Sequence, residues 1–182
     1  MARQLWLLRH AEADRLEIGQ HGTRADSERR LTPRGERQAR AAGVAIQRLA
    51  VAFDEVLFSP KVRARATAQL AAEGWSAQQR ELLREHPPLA GGFDAAQALD
   101  ALAGVPAQDG RLLLVGHEPD LSLTAGGLTG GGRIDLKKGG LAVVRSEGGA
   151  PRLGDDGVVG ELALLLRPRE LSLIAGVPIE RD

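Results

Sequence analysis

Two arginines and two histidines carry the chemistry that this sequence advertises. Arg9 and His10 follow the apolar run Leu5-Trp6-Leu7-Leu8, which has the length and composition of a buried strand. His117 follows a second such run, Arg111-Leu112-Leu113-Leu114-Val115-Gly116. Arg63 comes just after Ser59-Pro60, which ends a third, Phe53-Asp54-Glu55-Val56-Leu57-Phe58. Strands deliver polar side chains to a sheet edge, and in open α/β sheets ligands bind at that edge. Burying an arginine beside a histidine without a counter-charge would cost several kcal/mol, so an anion is the natural third member. If the four side chains converge, they make a pocket for a phosphoryl group. Guanidiniums bind its oxygens in bidentate fashion, and one imidazole can attack phosphorus. Hydrogen bonds to charged groups contribute about 1.5–3 kcal/mol each, so three or four such partners would hold a phosphate dianion well.

The elements that must position these residues are legible in order. After His10, a charge-rich stretch from Glu12 to Arg30, with Gly19, Gly22 and a solvated His21, reads as a loop over one end of the sheet. A helix then opens with Thr32 as N-cap, Pro33 at its first position and Glu36 near its positive end. Ala39, Ala42, Gly43, Ile46 and Leu49 form its buried stripe. The helix from Lys61 to Ala72 begins with Lys61, Arg63 and Arg65, which oppose its dipole at a cost of a few tenths of a kcal/mol each unless an anion sits there. Arg80 to Leu83 is expected as a short strand. Glu85 to Leu89 is a rigid turn around Pro87 and Pro88, and Asp94 caps a short helix to Leu102. Leu121 to Leu128 is a further short helix. The following glycines, Gly130 to Gly132, fit neither GxGxxG nor GxxxxGK[ST] and signal no nucleotide site. Leu141 to Arg145 and Glu161 to Leu166 are a closing pair of strands, and Arg167 to Leu171 starts a final short helix. Strands alternating with helices imply a mostly parallel sheet covered on both faces.

Composition narrows the function classes. A chain of 182 residues is expected to form one domain, 1–182. Lys and Arg total 24 against 24 Asp and Glu, so any positive patch is local, and neither bulk nucleic-acid binding nor binding to an acidic membrane is expected. The absence of cysteine excludes a disulfide framework, a thiolate zinc site and a cysteine-nucleophile phosphatase. With 3% aromatics, the core must be aliphatic and base-stacking platforms are scarce. No signal-like segment or apolar run of spanning length is present, so a soluble cytoplasmic protein is expected.

Five blocks, in this order, resemble the histidine phosphatase superfamily and, within it, the SixA-type phosphohistidine phosphatases. They are Leu7-Leu8-Arg9-His10-Ala11-Glu12-Ala13, Leu31-Thr32-Pro33-Arg34-Gly35, Ser59-Pro60-Lys61-Val62-Arg63-Ala64 with Thr67, Val115-Gly116-His117-Glu118-Pro119, and Leu136-Lys137-Lys138-Gly139. The resemblance runs from about Arg3 to Leu171 and implies a phosphoglycerate mutase-like fold, three-layer α/β/α with a mostly parallel sheet. It further implies a phosphatase that works through a phosphohistidine enzyme, with His10 as nucleophile and Arg9, Arg63 and His117 on the phosphoryl oxygens. No metal or other cofactor is implied. The proton donor stays open among Glu118, Asp94 and Glu85, with Glu118 ranked first. The expected substrate is a phosphohistidine in a partner protein, because the short segment from Leu70 to Leu112 leaves the pocket open. Alternatives are a phosphomonoesterase on small phosphate esters, a mutase, which lacks a basic cluster for a bisphosphorylated intermediate, and a non-catalytic phosphate-binding module.

Overall fold

Strand β1 (Ala2–Arg9) lies in the middle of the molecule because it is apolar on both faces. Leu5 and Leu7 enter one core, Trp6 and Leu8 the other, and all four are buried. Such a run has no solvent face and needs helices on either side. The computed structural model describes residues 2–15, 26–147 and 160–178. The loop residues Gly19, His21 and Gly22, and the turn joining the last two strands, lie outside that set.

The other elements, in chain order, are α1 (Pro33–Arg48), β2 (Glu55–Phe58), α2 (Val62–Ala72), α3 (Ala77–Arg80), β3 (Leu83–Glu85), α4 (Ala95–Ala103), β4 (Arg111–Gly116), α5 (Asp120–Leu128), β5 (Leu141–Glu147), β6 (Gly160–Leu166) and α6 (Pro168–Ala175). The sheet order is β3-β2-β4-β1-β5-β6. β3, β2, β4 and β1 run parallel, while β5 is antiparallel to β1 and β6 antiparallel to β5. Helices α1, α2 and α6 cover one face around Trp6, Ile46, Phe53 and Trp75, and α4 and α5 cover the other around Leu99, Leu102, Leu121 and Leu128. The result is the expected three-layer α/β/α arrangement with a mostly parallel sheet. No helix among the described residues is long and apolar enough to cross a membrane.

Local signals account for most boundaries. Thr32 caps α1 by accepting from the Gly35 N–H, and Pro33 occupies the first turn. Asp94 and Gln97 form a reciprocal capping box on α4. The expected strand at Arg80 to Leu83 is corrected: Ser76 caps a helical turn, α3, that runs through Arg80, and the strand is Leu83–Glu85. A three-residue edge strand has no hydrophobic alternation of its own. Its pairing of Leu83 with Val56 on β2 places it, and that contact is tertiary. The final helix continues to Ala175, where Gly176 ends it in the left-handed conformation at φ 65°.

Candidate active site

Three neighbouring parallel strands end side by side. Arg9 pairs with Gly116 across β1 and β4, and Phe58 with Val115 across β2 and β4. The next residue of each strand is therefore His10, His117 or Ser59. Their main chains extend the ladder: His10 N–H donates to Gly116 O at 2.9 Å, and Ser59 N–H to Val115 O at 3.0 Å. The two imidazoles stand with ring centroids 5.1 Å apart. Arg63 reaches the same point from the first turn of α2 and is almost wholly buried, at 4% exposure.

The segment after His10 is held on both sides. Ala11 N–H donates to Thr67 Oγ1 at 3.0 Å, and that hydroxyl donates to Arg63 O at 2.6 Å, so one buried threonine ties β1 to α2. Thr32 N–H donates to Glu12 O. Gly35 allows this approach, since a Cβ there would lie 1.9 Å from Glu12 O. Gly139, at φ 70°, donates its N–H to the carbonyls of Arg9 and His10; only glycine adopts that backbone without strain.

His10 has one assignable tautomer. Its Nδ1 lies 2.7 Å from the Ala11 carbonyl, which can only accept, so Nδ1 carries the proton. The lone pair is then on Nε2, where Arg63 Nε donates to it at 3.2 Å. Burial pushes His10 down to about 3. The Ala11 carbonyl opposes that shift, and the guanidiniums of Arg63 and Arg9 reinforce it. His117 is pushed down to about 3 as well, first by burial and then by His10, Arg63 and Lys61. Both rings are neutral near pH 7, so His10 Nε2 is an unprotonated nitrogen in a cationic setting.

Among the described residues, Arg9 Nε and His117 Nδ1 are buried polar atoms without a hydrogen-bond partner. Arg9 is held by NH1, which donates to Leu136 O at 2.8 Å, and His117 by Nε2, which lies 2.8 Å from Ser59 Oγ. The four expected residues Arg9, His10, Arg63 and His117, with Glu118, all line one open cavity of about 390 Å³. Such an arrangement can bind a tetrahedral oxyanion and present an unprotonated nitrogen to its central atom. Among the described residues no group of three or more His, Cys, Asp and Glu side chains is placed to hold a metal ion.

The three carboxylates separate. Glu118 is on the cavity wall, with its Oε1 unpartnered among the described residues, and burial pushes its carboxyl up while Ser122 and Arg9 oppose the shift. Glu85 is ion-paired with Arg65, and Asp94 accepts from Gln97 N–H at 2.9 Å to cap α4. Neither is on the cavity wall.

Two residues that sequence reading passed over belong to the site. Ser59 reads in the sequence as a strand terminator and as part of the block Ser59 to Ala64, with no role assigned to it, and it is the partner of His117. Asp26 lies in a charge-rich loop and, in a short 3₁₀ turn (Asp26–Glu28), faces the cavity and binds Arg63, Lys61 and Arg29. The basic start of α2 does meet an anion, an internal one. Hydrogen bonds from these three cations hold the Asp26 carboxyl well below the usual range, although burial alone would raise it.

A mostly parallel sheet whose adjacent strand ends, with the first turn of α2, gather two histidines and two arginines around one cavity defines an α/β protein with an oxyanion-type pocket. The chain belongs to the histidine phosphatase superfamily. Residues 5–88 match the model of its branch 1, and the structure groups with the SixA type. A provisionally assigned phosphohistidine phosphatase SixA from Nakamurella multipartitia is 29% identical, with a TM-score of 0.70 over 92% of this chain and 97% of that one. The protein histidine phosphatase SixA solved with tungstate shares the fold at 20% identity, with a TM-score of 0.71 over 92% and 99%. In sequence, an uncharacterized protein of Picosynechococcus is 33% identical over 92% of this chain and 98% of its own.

Proposed function

We propose that the protein is a phosphatase that removes phosphate from a phosphohistidine side chain of a partner protein, through a phosphohistidine of its own at His10. The observation that carries this reading is the tautomer of His10. Its Nε2 carries the lone pair and accepts from Arg63 Nε, and His10 lines one cavity together with Arg9, Arg63 and His117. The tungstate complex of the SixA relative supports it, since tungstate is a tetrahedral oxyanion like a phosphoryl group.

In the first step His10 Nε2 forms a bond to phosphorus as the bond from phosphorus to the leaving group breaks. The electron pair goes to the leaving atom, which takes a proton from the Glu118 carboxyl. Burial favours the protonated acid. Arg9, Arg63 and His117 donate to the equatorial oxygens as charge gathers there; each such donor contributes about 2.7–4 kcal/mol to the barrier reduction where this has been measured by removal. In the second step water gives its proton to the Glu118 carboxylate, its oxygen bonds to phosphorus, and the bond to His10 Nε2 breaks. Phosphate leaves and the starting state returns.

A protein substrate is supported by the shape of the rim. Between β3 and β4 the chain forms only a 3₁₀ turn (Pro87–Ala90) and the nine-residue α4, whose Leu99 and Leu102 pack into the core. The turn supplies Ala90 to the cavity wall and α4 supplies no residue to it, so among the described residues this segment adds no helix to the pocket, which suits a phosphorylated side chain on a bulky partner.

The test is acid-labile labelling. Wild type and His10→Ala are mixed with a phosphohistidine protein domain or with para-nitrophenyl phosphate, quenched, and assayed for phosphate on nitrogen. Label and turnover in wild type, absent from His10→Ala and faster with the phosphoprotein, are expected. Turnover without label removes the covalent route, and preference for the small ester removes the protein substrate.

A further inference from the structure

The cavity already contains an anion, and its placement is specific. Arg63 NH2 donates to Asp26 Oδ2 at 2.9 Å, and NH1 donates to the main-chain oxygen of the same residue. Lys61 Nζ shares Oδ2 at 3.1 Å, and Arg29 NH1 takes Oδ1 at 3.1 Å. Both terminal nitrogens of Arg63 thus donate an N–H to the same residue. The N–H groups left over are the Nε–H, which donates to His10, and the second hydrogen of each terminal nitrogen.

Two physical consequences follow. Two bonds to one partner fix the plane of a guanidinium, so the Nε–H is aimed before any ligand arrives. A free guanidinium would instead offer its two-nitrogen fork to a phosphate dianion, in the geometry that binds that ion best. Asp26 occupies the end-on fork of the two terminal nitrogens, and it also partners Lys61 and Arg29, two further cations on the same wall. A phosphate in the cavity must share these cations with a carboxylate already seated among them, and like charges in a partly enclosed site repel.

We propose that Asp26 is a positioning and selectivity residue: it aims Arg63 Nε at the phosphoryl site and weakens the hold on free phosphate, so that the product is released. The inference rests on the phosphoryl-site reading above and assigns a role within it. It gives the pocket a way to stabilise a group in transfer through Arg9, Arg63 and His117 without becoming a phosphate trap. Differential binding of this kind is what accelerates a reaction, whereas uniform tightness does not.

The test uses inorganic phosphate as the probe, titrated calorimetrically into wild type, Asp26→Asn, Asp26→Ala and Asp26→Glu, alongside kcat and KM for para-nitrophenyl phosphate. The neutral variants remove the counter-charge of the buried Arg63, so their thermal midpoints are expected to fall, and the titrations are run at a temperature where all four proteins are folded. Phosphate Kd should fall by about tenfold in Asp26→Asn and Asp26→Ala, the weight of one neighbouring charge. KM and kcat should fall together, because the fork is released but no longer aimed. Asp26→Glu keeps the charge and should bind phosphate as weakly as wild type. A residue that merely supported the loop would raise Kd or leave it unchanged. Phosphate binding by wild type that neither neutral variant tightens overturns the assignment of Asp26 alone. Phosphate binding and turnover absent from all four proteins overturn the phosphoryl-site reading itself.

Discussion

Arg63 Nε stands 3.2 Å from His10 Nε2, on the side of the ring opposite the proton that Nδ1 gives to the Ala11 carbonyl. An arginine rather than an acid faces the lone pair, which adds to burial in keeping that nitrogen unprotonated and sets a fixed positive charge beside the phosphoryl site. The relationship depends on which nitrogen of Arg63 points inward. Arg63→Lys keeps the charge but neither the aimed Nε nor the two bonds to Asp26. It is expected to lower kcat/KM for an ester substrate by about 10²–10³ with the fold intact, the measured range for loss of one aligned donor. A loss under tenfold in steady-state kinetics would show that charge alone suffices.

The pH profile follows from the two buried rings. His10 and His117 are both displaced from 6.5 to about 3, so the acid fall of kcat/KM should begin well below pH 6.5. Stability has the opposite preference. Between the two values the unfolded chain binds these protons and the folded chain does not, so stability falls as pH falls through that window, by up to about 1.4 kcal/mol per pH unit for each histidine. Glu118, displaced upward, offsets part of this. Urea midpoints measured from about pH 7 to 5 should decline for wild type and decline less steeply for His117→Asn. Parallel slopes would contradict the buried neutral state.

Glu118→Gln separates a proton donor from a wall residue. A donor matters most when the leaving group is a poor one, so an alkyl phosphate should lose about 10²–10⁴ in kcat while para-nitrophenyl phosphate loses far less. Equal losses on both substrates would move Glu118 out of proton transfer and into binding.

Thr67 offers a test of how the site is held. Its buried hydroxyl joins the Ala11 N–H to Arg63 O, and Thr67→Val conserves shape while leaving the Ala11 N–H unpaired. The expected destabilisation is about 1–3 kcal/mol by chemical denaturation, accompanied by reduced kcat. An unchanged denaturation midpoint would show that the bridge is dispensable.

The sequence by itself determined the chemistry of the strand ends. Leu5 to Leu8 and Leu112 to Val115 are continuous apolar runs that break at Arg9-His10 and at His117, and such breaks are local signals that survive without knowledge of neighbours. Thr32-Pro33 and Asp94 announced their helices for the same reason: a cap is satisfied within three residues of itself. Only the tertiary structure decided which ends meet. The order β2-β4-β1 sets Ser59 beside His117 and His117 beside His10. It also brings Glu118 to the cavity while Glu85 and Asp94 are engaged elsewhere, and it seats Asp26 on Arg63, 37 positions apart in sequence. Hydrophobic periodicity records which face of an element is buried. It carries no record of the partner across the sheet, because strand order and the pairing of distant charges arise from packing both faces of one sheet at once.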